Sequence, residues 1–272
     1  MSPDPDLDRL RLCRTLLFLP ASNPRAIEKA RTLAADMVVL DLEDAVKPED
    51  KAAARDAAVE AAAAGFGSAL TAIRVNAPGA LQDQDIAKVR GSRADYLIVP
   101  RTAGPDDVAR VKAATGKPVL AMVETARGVL SAAAIAAEAG ALIAGTNDLA
   151  ADLGIRPGGG REPLVTALQT ILLAARAVRI PAFDGVFNRL DDSEGFAAEC
   201  AQGRAFGFDG KSLIHPNQIE AANRTYSPSA EELDAARRLV AAATGGAERF
   251  EGAMIERMHV EQARFLLAKA RG

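Results

Sequence analysis

Residues Met37–Gly65 read MVVLDLEDAVKPEDKAAARDAAVEAAAAG. The run opens on apolar, β-branched residues without polar alternation, as a strand buried on both faces does. It turns polar at Asp41, Glu43 and Asp44, passes Pro48, and continues as an alanine-rich stretch that stops at Gly65. That is one strand–turn–helix unit. Working outward, the same unit recurs about every 25–35 residues. Strands are expected at Thr15–Pro20, Met37–Asp44, Leu70–Asn76, Tyr96–Arg101, Pro118–Glu124, Ala141–Thr146, Ala182–Val186 and Gly210–Ile214. Strands alternating with helices in this number predict an α/β fold, a closed (β/α)8 TIM barrel of about 250 residues. An open doubly wound sheet is the alternative. Past Pro216 the pattern changes: Ser227-Pro228-Ser229 breaks the chain, and helices are expected at Ala230–Ala243 and Met254–Lys269, joined by TGGAERFEG. The expected organisation is an N-terminal tail over 1–13, a barrel over 14–226, and a C-terminal helical lid or oligomer arm over 227–272.

The 272-residue chain is 49% hydrophobic and 25% charged, enough apolar material for a sizeable core. Its formal charge is −3 and it has no Trp, so neither a basic footprint nor a base-stacking surface points to nucleic acid. Cys13 and Cys200 form no CxxC pair, which argues against a disulfide framework and fits a reducing cytoplasm. No apolar run approaches the roughly 18 residues a membrane helix needs, and the acidic N-terminus does not read as a signal peptide. Pro157-Gly158-Gly159-Gly160 reads as a mobile loop after the sixth strand, without the spacing of a Rossmann or P-loop glycine motif.

In a (β/α)8 barrel the working groups sit at the C-terminal ends of strands. Here those ends carry Asp41, Glu43 and Asp44, then Arg74 and Asn76, Glu124 and Thr125, Asn147 and Asp148, and His215. Singly, each reads as a loop charge or helix cap. Together they describe an acidic pocket. Carboxylates without thiols suit a hard divalent cation, Mg2+ or in its place Mn2+. Glu124 and Asp148, on neighbouring strands, are the expected metal ligands, with Glu43 and Asp44 as acceptors for metal-bound waters. Metal-free acid–base work by paired carboxylates is the alternative. Arg74 reads as a clamp on an anionic substrate oxygen, as an ion-pair partner of the second strand's acids, or as both. His215, beside Pro216, reads equally as a ligand contact or a turn residue.

The segments RTLLFLPASN, VLDLEDAV, IRVN, AMVET, AGTNDLAADLG and GKSLIHPNQI occur in this order from Arg14 on. Together they resemble the citrate lyase beta subunit-like group of the HpcH/HpaI aldolase/citrate lyase family, in its malyl-CoA and citramalyl-CoA lyase branch. The likeness extends to about Lys269. It implies the same barrel and a homo-oligomer, trimer or hexamer. By the resemblance Glu124 and Asp148 match the Mg2+ ligands and Arg74 the substrate arginine. Phe18, Arg25, Lys29, Ile214 and His215 fall where members contact coenzyme A (CoA). One motif departs: the branch carries a C-terminal G-x-M-I-D whose Asp acts as acid/base in a neighbouring subunit, and this chain has Gly252-Ala253-Met254-Ile255-Glu256. Displacing a catalytic carboxyl by about 1 Å can cost about 10²-fold.

The expected activity is Mg2+-dependent cleavage or formation of a short β-hydroxyacyl-CoA, with a 2-oxo acid and an acyl-CoA as the other pair. Rival readings are a citrate lyase beta subunit working on an acyl-carrier-protein thioester, a non-catalytic metal- and CoA-binding relative, and a CoA-independent 2-oxo-acid aldolase.

Overall fold

The computed structural model describes residues 5–156, 158, 160–244 and 246–270. Pro157 and Gly159 of the expected glycine-rich loop therefore lie outside the described residues. The chain forms two compact units, one ending at Asn223 and one beginning at Arg224.

In the first unit eight parallel strands close into a barrel in sequence order. They are β1 (Thr15–Pro20), β2 (Met37–Asp41), β3 (Leu70–Arg74), β4 (Tyr96–Val99), β5 (Val119–Val123), β6 (Ala141–Ala144), β7 (Ala182–Asp184) and β8 (Gly210–Leu213). The helices of this unit begin with α1 (Pro5–Leu12), α2 (Pro24–Ala30), α3 (Lys51–Ala64), α4 (Ala80–Val89) and α5 (Pro105–Thr115). They continue with α6 (Ala126–Leu130), α7 (Ala132–Glu138), α8 (Thr146–Asp152), α9 (Val165–Ala177) and α10 (Ser193–Phe206). Helix α11 (Ile219–Tyr226) runs across the boundary between the units.

Each expected strand is present; β1 has its expected bounds, and the other seven end one to three residues earlier than expected. The continuous apolar reading has its cause in the two faces. Leu16, Met37, Val39, Ala72, Ile98, Leu120, Ile143 and Phe183 fill the barrel interior. The alternate residues Leu17, Val38, Leu40, Ile73, Leu97 and Leu142 are equally buried on the outer, helix-covered face. The expected N-terminal tail contains α1. Leu10 and Cys13 belong to the same core cluster as the barrel interior.

Three aspartates clip the N-terminal strand ends. Asp36 accepts the Arg14 N–H at 2.7 Å, Asp95 that of Thr71 at 2.7 Å, and Asp209 that of Ala182 at 2.8 Å. Gly210 lets β8 close on β1, since a Cβ there would lie 2.6 Å from the Arg14 carbonyl oxygen. Lys211, from the GKSLIHPNQI segment, is fully buried. Its ammonium donates to Asp184 at 3.1 Å and Glu199 at 2.7 Å, which ties α10 to β7 and β8.

The second unit holds α12 (Ala230–Ala242), a hairpin of β9 (Glu248–Phe250) and β10 (Ala253–Ile255), and α13 (Arg257–Lys269). The stretch expected to be helical from Met254 is strand up to Ile255. Glu251 and Gly252 both take positive φ, 46° and 87°, the signature of a two-residue hairpin turn. Arg238 of α12 pairs with Glu251 at 2.8 Å.

Candidate active site

At the C-terminal mouth of the barrel lies a cavity of about 410 Å³. Its wall includes Phe18, Asp44, Arg74, Glu124, Asp148 and Ile214, all singled out from the sequence. They reach it from the ends of β1, β2, β3, β5, β8 and the first turn of α8.

Arg74 is the most tightly held of these. Its Nε and Nη2 donate to the two oxygens of Asp41 at 2.6 and 2.7 Å, and Nη1 lies 2.8 Å from Glu43 Oε2. Burial works against the guanidinium charge. The bonds to Asp41 and the field of Glu43 and Glu124 outweigh it and hold Arg74 above its ordinary range. Its Cζ stands 5.4 Å from the centroid of the Phe18 ring, a cation–π contact. The expected ion pair with the second strand's acids is therefore present. Three of the five guanidinium N–H groups serve it, which leaves donor capacity for a ligand.

Asp41 is fixed in turn by the loop it begins. It accepts the backbone N–H groups of Glu43 at 2.9 Å and Ala45 at 3.2 Å. Lys51 draws the same loop toward β3. Its ammonium donates to the carbonyls of Leu42 and Glu43 and to Asn76 Oδ1, each at 2.7 Å. Asn76 is buried in this network and donates to Asp85 at 2.7 Å, so it serves the scaffold. Glu43 is buried with its carboxyl turned to Arg74. Burial raises its pKa to about 8; Arg74 pulls it down, while Asp44, Glu124 and Asp41 push it up. It is a partner of Arg74 first, where the sequence reading made it an acceptor for metal-bound waters. Asp44 is exposed at the cavity wall.

Glu124 is 2% exposed at the end of β5. Burial raises its pKa to about 7, the Arg101 backbone N–H lowers it, and the charge of Asp148 raises it again. Gly145, at the end of β6, makes room for it: a Cβ there would overlap the Glu124 side chain. Asp148 is about a third exposed and receives Arg101 Nη1 at 3.2 Å. Two carboxylates, one buried and raised by the other, form a donor set of hard oxygens that fits Mg2+ with waters and substrate oxygens completing its shell. Among the described residues no group of three or more His, Cys, Asp or Glu is arranged to hold a metal ion.

Arg25 and Lys29 are exposed on α2. His215 is exposed and caps the turn after β8, its Nδ1 accepting the Asn217 N–H at 3.2 Å. Glu256 is exposed in the second unit, at the start of α13, where its backbone N–H donates to His259 Nδ1 at 3.0 Å. Sequence reasoning passed over Arg101, although it ends the apolar run YLIVPR as the other site residues end theirs. It also passed over Asn188, which exchanges side-chain hydrogen bonds at 3.2 and 2.7 Å with the expected strand-end residue Asn147 on the cavity wall.

The family described as HpcH/HpaI aldolase/citrate lyase matches residues 14–216. A (3S)-malyl-CoA thioesterase from Cereibacter sphaeroides (strain ATCC 17025 / ATH 2.4.3) is 41% identical over 268 residues, covering 94% of each chain. A citrate lyase subunit beta-like protein from Mycobacterium tuberculosis (strain ATCC 25618 / H37Rv) is 37% identical over 264 residues, covering 93% of this chain and 94% of its own. Among solved structures, CitE from Mycobacterium tuberculosis in complex with magnesium, acetoacetate and coenzyme A superposes with a TM-score of 0.80. It is 36% identical, and the match covers 97% of this chain and 100% of that one. With the barrel, the acid-lined mouth and these matches in hand, the chain belongs to the HpcH/HpaI aldolase/citrate lyase family.

Proposed function

We propose that this chain is a Mg2+-dependent enzyme of short β-hydroxyacyl-CoA thioesters, cleaving or forming the carbon–carbon bond between a 2-oxo acid and an acyl-CoA. The observation that carries the reading is the Glu124–Asp148 pair beside Arg74 at one mouth. Glu124 and Asp148 would hold the metal, and Mn2+ has the same preference for oxygen donors. When bound, Mg2+ supplies Lewis-acid stabilisation of substrate oxygen charge. Arg74, locked by Asp41 and Glu43, offers its remaining donors to a carboxylate or enolate oxygen of the substrate without needing to reorganise. Phe18 and Ile214 give the acyl group an apolar wall, and Arg25 and Lys29 with His215 would meet the CoA moiety. Glu256 would exchange the proton from a neighbouring subunit of a trimer or hexamer.

A second reading is thioester hydrolysis, favoured by the 41% identity to a protein named (3S)-malyl-CoA thioesterase. Water would add to the thioester carbonyl, the C–S bond would break, and the free acid and the CoA thiol would leave. The two activities differ in products. Malyl-, β-methylmalyl-, citramalyl- and citryl-CoA, each with Mg2+, are to be followed for 2-oxo-acid release and for free thiol. Release of 2-oxo acid without thiol supports the lyase, and thiol without 2-oxo acid supports the hydrolase. Asp148→Asn and Glu124→Gln are each expected to weaken Mg2+ binding by more than about tenfold with the fold intact. Unchanged binding in both by calorimetry overturns the site.

A further inference from the structure

Arg101 touches both carboxylates of the proposed metal pair, by two different routes. Its backbone N–H donates to Glu124 Oε1, and its guanidinium Nη1 lies 3.2 Å from Asp148 Oδ1. The backbone contact is made from φ +47°, a left-handed conformation that a residue with a Cβ adopts at a cost. Pairing of β4 ends at Val99, so this conformation follows directly on the strand and aims the N–H sideways at β5.

The two cations beside the carboxylates are held very differently. Arg74 has a side chain 12% exposed and three charge-assisted bonds to Asp41 and Glu43. Removing it from that setting would leave two buried carboxylates without their cation. Arg101 has a side chain 49% exposed and a single long bond to Asp148, itself 36% exposed. Such an exposed pair is weak and opens readily into water. A divalent cation on the same carboxylates would repel a guanidinium at hydrogen-bonding distance and outbid it in charge.

We infer that Arg101 is a built-in counter-ion for the metal site, with a fixed half and a removable half. The backbone N–H stays on Glu124 and orients it. The guanidinium occupies Asp148 in the absence of the cation and gives it up when the cation binds. Arg101 is thus a positioning residue that orients Glu124 and balances the charge of Asp148, and it lowers the metal affinity by the strength of the contact that must be broken. This rests on the reading of Glu124 and Asp148 as the metal's holders.

The test is calorimetric titration of the metal-free protein with Mg2+, without substrate. Arg101→Met keeps the bulk of the side chain and removes the charge. Arg101→Gly removes the side chain and suits the positive φ, so it decides the matter where the methionine variant folds poorly. Both are expected to bind Mg2+ about two- to fivefold more tightly than wild type, the upper end set by what an exposed ion pair can supply. Arg101→Lys, which restores a removable cation, is expected to return the affinity to near the wild-type value. Unchanged or weaker binding in both Arg101→Met and Arg101→Gly overturns the inference. Asp148→Asn separates the two readings. If it leaves Mg2+ binding intact, the metal site itself is misplaced; if it removes binding while the Arg101 variants match wild type, only the counter-ion role fails.

Discussion

Glu124 is buried deeply enough to hold a proton near neutral pH, and close enough to Asp148 to exchange that proton for a cation. Glu43 shares the tendency, with its pKa raised to about 8. The sign of the stability effect follows. Each carboxyl titrates higher in the folded protein than in the unfolded chain, so the folded state binds the extra proton. The stability it contributes is fully present below the ordinary carboxylate range and is lost as pH rises through about 7 for Glu124 and about 8 for Glu43. The slope is at most about 1.4 kcal/mol per pH unit for each group. Metal-free protein is therefore expected to melt at lower temperature at about pH 8.5 than at about pH 6. Glu124→Gln should flatten that decline. Mg2+ should raise the melting temperature more at the higher pH, where it need not displace a proton. Scanning calorimetry across this range checks all three; a melting temperature independent of pH in wild type would count against the burial of both carboxyls as the cause.

At the scale of elements, the site depends on how closely β6 approaches β5. Gly145 is the contact point, since any side chain there would collide with Glu124. Gly145→Ala is expected to displace the Glu124 carboxyl and weaken Mg2+ binding by more than about tenfold, at a stability cost of about 1–3 kcal/mol. Denaturant unfolding and calorimetry on the same sample measure the two effects. Elements were also where the sequence was most and least legible. Each barrel strand could be read, because residues such as Val38 and Val39 face opposite sides and are both buried. Strand ends ran long, because Glu43, Asn76 and Arg101 follow apolar runs yet lie past the last ladder pairs. Arg74, Glu124 and Asp148 were legible as polar punctuation after apolar runs. An ion pair of Arg74 with the second strand's acids was expected, but which of them supply it, Asp41 and Glu43 rather than Asp44, was not, since it depends on how a loop folds back. Nor was the β9–β10 hairpin: Met254 and Ile255 fit a helical stripe, and only the pair Glu251-Gly252, both at positive φ, marks the turn.

For the molecule as a whole, the proposal that Glu256 serves a neighbouring subunit predicts complementation. Glu256→Gln should bind Mg2+ and CoA nearly as wild type does while losing turnover by about 10²-fold or more. Mixed with Asp148→Asn subunits, under conditions where subunit exchange is verified by mass, it should recover part of the activity. Absence of recovery would place the proton exchange elsewhere. Within the barrel unit, the two rims carry separate tasks. Asp36, Asp95, Asp209 and Gly210 secure the strand starts, while Phe18, Met122 and Ile214 shape the cavity at the strand ends. Met122 belongs to the core cluster and Phe18 packs against it, whereas Ile214 is exposed, so a substitution that retunes which ligand fits disturbs the packing least at Ile214. A lineage carrying this barrel can drift among ligands at the upper rim while the lower rim keeps every intermediate sequence folded, so that the history of its chemistry and the history of its architecture can run at different speeds.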